Sequence, residues 1–183
     1  NILMTAIAHN KKNILQQIKS KNLLEKINLN TCNSSNLTAL NLAIQTGNTD
    51  MVTTLLQQSS ELITDNLTQN HKDNIFHLCL AGNKPKKTSD DTVTAILHAI
   101  LGYIKQQDTK TSLATSTSSS TDKTSLLERL LNQHNKEGDT PLITAARNNH
   151  SQAVKTLLQH EVDVWKCNNR KLSATDIAIS NEN

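Results

Sequence analysis

Aromatic side chains are nearly missing from these 183 residues, which hold one Phe, one Tyr and one Trp. Without them a thin core of repeated small helices is the natural solution, because Leu, Ile and Ala fill it without large rings. Nucleic-acid grip is also disfavoured, since it wants clustered Lys and Arg with stacking aromatics. Here the net charge is only +3, and the lysines are scattered. No apolar run has membrane-spanning length and no signal-peptide pattern is present, so no membrane partner is expected. Cysteine is scarce and odd in number: Cys32, Cys79 and Cys167. A disulfide framework or zinc site would use even numbers or close pairs. Reduced thiols and an intracellular setting follow. Asn1 in place of Met suggests a piece of a longer chain.

Glycine and proline are rare as well, at four and two. Yet Gly138 and Pro141 stand three apart in KEGDTPLITAARNNH, residues 136–150. Gly138 can take a left-handed turn, Thr140 can cap a helix, and Pro141 suits the first helical turn. Leu142, Ala145 and Ala146 then line one helical face. The same pattern recurs. TALNLAIQTGNTDMVTTLL (38–56) aligns with TPLITAARNNHSQAVKTLL (140–158) without a gap, through Thr38/Thr140, Leu40/Leu142, Ala43/Ala145 and Val52/Val154. ILMTAIAHNKKNILQQI (2–18), NIFHLCLAGN (74–83) and SATDIAISN (173–181) fit the same frame. The anchors are Leu3, Leu40, Phe76, Leu142 and Thr175, with steps of 37, 36, 66 and 33.

These units resemble ankyrin repeats, a family with a 33-residue period in which a turn leads into two antiparallel helices with a T-P-L-H-x-A signature. TPLITAA lacks only the signature His, whereas IFHLC keeps it as His77. The resemblance covers residues 1–83 and 133–183. It implies an all-α solenoid of helix–turn–helix units with short finger turns, forming a single domain over 1–183 of about five repeats. One hairpin cannot bury its apolar face alone, so the units must stack. Asn36 stands where Gly138 does, which Asn tolerates better than most residues.

The step of 66 is twice 33, yet no sixth unit fits it. Lys84-Pro85-Lys86-Lys87 breaks the pattern, and TVTAILHAILGYIKQQ predicts a long helix over 92–107. Residues 108–125 hold twelve Ser or Thr in eighteen and read as a flexible loop. A short amphipathic helix at 125–133 completes an insertion over 84–133 that expands the third repeat.

No nucleophile elbow, phosphate loop or zinc-protease motif occurs, so catalytic residues, metal ligands and cofactors are all expected to be absent. His77 and Cys79 are i, i+2 on a helix and point apart, which does not suit a metal. The resemblance instead makes His77 a bonding partner of a neighbouring turn. It further implies a protein–protein interaction module that works through its finger turns and the concave face of its first helices. By position the finger residues are Asn33, Ser34 and Asn36; Asn70, His71 and Lys72; Asn135, Lys136 and Glu137; Trp165, Lys166 and Asn168. Asn41, Gln45, Thr144 and Arg147 are the first-helix candidates. Trp165 is the one aromatic among them, the type enriched at interface hot spots. Finger lysines favour an acidic partner protein. A monomer is expected. The alternative is an accessory arm that positions substrate for, or regulates, an enzyme whose catalytic part lies elsewhere. The abundance of Asn, Lys and Thr is similar to that of ankyrin proteins of intracellular bacteria, which act as effectors inside host cells.

Overall fold

The computed structural model describes residues 2–21, 23–58, 72–81, 89–114 and 125–181. Ten α-helices and one short 3-10 helix, and no strand, are found among them. They are α1 (Ile2–Ala8), α2 (Lys12–Ser20), a 3-10 turn (Leu23–Lys26), α3 (Ala39–Gln45), α4 (Thr49–Gln58) and α5 (Ile75–Leu80). Then follow α6 (Asp90–Ala114), α7 (Leu126–Leu131), α8 (Pro141–Arg147), α9 (Ser151–Leu157) and α10 (Ala174–Asn181).

The first helices α3, α5, α8 and α10 start the same way. Thr38 and Thr140 stand in extended conformation, and their hydroxyls accept the Asn41 and Ile143 amides, both at 3.3 Å. Asn74 performs that task for α5. Two residues before each cap the backbone turns left-handed, at Asn36 (φ 61), Lys72 (φ 53), Gly138 (φ 77) and Lys171 (φ 61). Seven residues beyond the anchors Leu3, Leu40 and Leu142 it does so again, at Asn10, Gly47 and Asn149. Among the described residues both kinks flank α3 and α8, so the period is written in backbone as well as in side chains.

The first helices stack in one row, α1, α3, α5, α8 and α10, each against the next. Behind them α4, α6 and α9 form a second row. Because α5 packs directly on α8, the 66-residue step closes in space and the insertion leaves the stack unbroken. Leu3, Leu40, Phe76 and Leu142 are buried between rows, with Ala6, Ala43, Cys79 and Ala145 where helices approach closely. Small side chains at those points let backbones come near and bury the leucines around them.

One expectation is corrected. The long helix is not confined to 92–107: it runs from Asp90 to Ala114 and takes in residues 108–114, which the composition assigns to a loop. Thr109 there donates its hydroxyl back to the Gln106 carbonyl at 2.9 Å, a helix-compatible use of Thr. Asp108 also accepts the Leu126 and Leu127 amides, both at 3.3 Å, so the insertion is pinned at its base. Residues 115–124 lie outside the described residues. The two aligned units also differ at their closing leucine pairs, Leu55-Leu56 and Leu157-Leu158. Leu55, Leu56 and Leu157 are buried, but Leu158 is 52% exposed.

Candidate partner-binding site

The fingers are built by asparagine. Asn33 Oδ1 accepts the amides of Ser35 and Leu37, both at 2.9 Å. Asn135 Oδ1 accepts those of Glu137 and Asp139 at 3.0 Å each, and Asn168 Oδ1 those of Arg170 and Leu172 at 2.9 and 3.1 Å. In NSSNLT, NKEGDT and NNRKLS the Asn stands five residues before the cap, and its short carboxamide folds the tip. That recurrence was readable in the sequence and is the signal that marks these residues as structural.

Several expected contact residues are therefore occupied or hidden. Asn41, Thr144 and Asn168 are buried and do not present themselves to a partner. The Thr144 hydroxyl donates to the Thr140 carbonyl at 3.1 Å, and Asn168 Nδ2 donates to Asp139 at 2.9 Å. Asn41 Oδ1 has no hydrogen-bond partner among the described residues. Arg147 is exposed at its edge, but its guanidinium grips Asp139 through two bonds of 2.9 and 2.7 Å. Asn33 and Gln45 are half-buried, while Ser34, Asn36, Lys72, Lys136 and Glu137 are exposed on the finger row. Asn70 and His71 lie outside the described residues.

Asp139, which the sequence reading overlooked, joins three units. Its carbonyl faces His77 Nε2 of the third unit at 2.8 Å. Its carboxylate takes Arg147 of the fourth and Asn168 of the fifth. A carbonyl only accepts, so His77 carries its proton on Nε2, leaving Nδ1 to accept the Asn74 amide at 3.3 Å. Burial pushes the His77 pKa down from the ordinary histidine value, because an imidazolium there would lose its water. Asn74 thus caps α5 and is itself held by His77, a reciprocal capping box. Its amide group also donates to the Leu130 carbonyl at 2.7 Å.

The last finger carries the largest exposed apolar side chain. Trp165 is 85% exposed, although its backbone is tied down: its amide donates to Asp163 Oδ1 at 3.0 Å. Lys166 donates through Nζ to the Asn132 carbonyl at 2.8 Å. Beside this loop Glu128, Arg129, Asn132, Gln133, Asp163 and Lys166 line a polar cleft of about 450 Å³. A second, more apolar groove of about 400 Å³ runs between α8, α9 and α10, with Leu142, Val154, Leu158 and Ala178 on its walls.

Among the described residues no three His, Cys, Asp or Glu side chains converge as metal ligands. Burial raises the Cys79 thiol to about 12, so it stays protonated, and Sγ donates to the Val93 carbonyl at 3.5 Å. No described helix is long and apolar enough to cross a membrane.

A family model of ankyrin repeats in three copies matches residues 67–166 and 112–183, and the single ankyrin repeat matches residues 35–66. The chain belongs to the ankyrin repeat family. No curated protein matches it. Ankyrin repeats are in general protein-binding modules without catalysis, which agrees with a domain whose polar chemistry is spent on holding its own units together. In this ankyrin domain His77 occupies the signature position and bonds the next turn, as the resemblance implied.

Proposed function

We propose that this ankyrin domain binds a partner protein along its finger row, with Trp165 as the aromatic anchor and Lys136 and Glu137 as flanking polar contacts. The observation that carries this reading is a Trp 85% exposed on a loop whose backbone is held by hydrogen bonds. An aromatic ring on a fixed backbone offers contact area at small ordering cost, and such residues dominate interface energies. The ring contributes little to the domain's own core, so its exposure is not compensated by packing. The domain acts as a monomer inside a cell, and its target is a protein rather than nucleic acid, given the scattered lysines. The buried Asn41, Thr144 and Asn168 stay outside the interface, which leaves the fingers rather than the helix row as the contact surface.

The test immobilises the domain, passes eukaryotic lysate over it and identifies retained proteins by mass spectrometry. A parallel column carries Trp165→Ala with Lys136→Ala, both chosen because neither side chain supports a helix. Loss of a saturable partner from the folded double variant is the expected result. Identical retention on both columns overturns the finger reading.

A further inference from the structure

Asn132 lies 33 residues before Trp165, at the equivalent place in the preceding unit, and every hydrogen-bonding group of its carboxamide is in use. Nδ2 donates to the Glu128 carbonyl at 3.0 Å, closing the last turn of α7, and to the Glu161 carbonyl at 2.9 Å. Oδ1 accepts the Asp163 amide at 2.7 Å. The Asn132 backbone carbonyl receives Lys166 Nζ. One residue therefore holds the loop at 161, 163 and 166, on both sides of Trp165. Asp163 continues the chain of contacts by accepting the Trp165 amide. The other end of α7 is fixed to α6 through Asp108.

We propose that Asn132 is a positioning residue for partner binding: it orders the 161–166 loop before the partner arrives, and the α7 part of the third-repeat insertion is the buttress that carries it. This rests on the reading of Trp165 as the anchor. The physical reason is entropic. Glu161 and Asp163 are exposed, so without Asn132 their backbone would bond water and sample many conformations. Binding would then bear the cost of ordering the loop. Asn132 touches no partner in this scheme and acts only through the loop.

Trp165 is the chain's single Trp, so its fluorescence anisotropy reports this loop alone. The experiment compares the native domain with Asn132→Ala, Trp165→Ala and Thr38→Ala, the last a distant helix-cap variant that lowers stability without touching the loop. Three quantities are read: Trp165 anisotropy, hydrogen exchange at the Asp163 amide, and release of captured lysate proteins. Asn132→Ala is expected to lower the anisotropy, to speed Asp163 exchange about tenfold or more, and to speed release about tenfold, whereas Thr38→Ala moves none of them. Asn132→Asp, which keeps the acceptor for the Asp163 amide, serves as the second variant if the alanine form unfolds, and should fall between the two. Unchanged exchange in Asn132→Ala, or unchanged release by it of proteins whose retention Trp165→Ala abolishes, overturns the positioning role. Retention of the same proteins by Trp165→Ala overturns the anchor reading and the positioning role with it, a pattern distinct from failure of Asn132 alone.

Discussion

The second and fourth units share nineteen aligned positions and nearly the same backbone, yet different chemistry holds each in place. In the fourth, the left-handed turn is Gly138, and a Cβ there would lie 2.5 Å from Asn169 Oδ1 and 2.6 Å from its backbone nitrogen. In the second, Asn36 takes the same conformation with its side chain exposed. One residue after the turn, Asp139 is a buried carboxylate with three side-chain donors, whereas Leu37 is a half-buried hydrocarbon. At the signature position the fourth unit has buried Ile143 and the second has buried Asn41, whose oxygen is orphaned. A repeated backbone thus constrains where a residue sits, and the neighbouring unit decides what it must do there.

The largest consequence is a contrast between the two turns. Alanine at Asn36 faces only the left-handed penalty, about 1 kcal/mol. Alanine at Gly138 adds displacement of the Asn169 backbone and should cost about 3 kcal/mol. Midpoints of guanidinium unfolding measure both, and equal losses would mean that close approach of the next finger contributes nothing. A smaller effect of opposite sign is expected from Asn41→Leu, which removes a buried unpartnered acceptor and keeps the fork at Cγ, and should stabilise by about 1 kcal/mol. A lower midpoint would show that Asn41 makes a bond in solution.

An effect seen only as pH falls concerns the third unit, where the signature position is His77. Its pKa is lowered in the fold, so the unfolded chain takes up a proton first as pH falls below about 6.5. Stability is therefore full above that pH and declines as pH drops toward the native value, with a slope approaching about 1.4 kcal/mol per unit. His160, also lowered, first by burial and then by Lys105 and His98, contributes in the same direction. His77→Asn, which copies the second unit, should flatten part of the slope. An unchanged slope would place the proton uptake elsewhere.

The stack was legible because its signals are apolar and local. Leu40 and Leu142, the small Ala43 and Ala145, and the Thr38 and Thr140 caps act within one hairpin, so spacing alone reveals them. The polar residues were harder. Asn168 and Arg147 look like free surface until the finger closes and brings Asp139 between them, a juxtaposition of residues from different units. Residues 108–114 misled for a related reason. Ser and Thr signal a loop by composition, but Asp108, which ties α6 to the start of α7, gives that stretch a reason to stay helical.

Asp139 also bears on how such an array can change over generations. A tandem protein can gain or lose a module by slippage only while its modules remain interchangeable. Here one side chain and its carbonyl draw on His77, Arg147 and Asn168 from three successive modules. Deleting the fourth module would strand both His77 and Asn168. The third to fifth modules are thereby tied through one residue, whereas Trp165 stands at an exposed tip outside that tie.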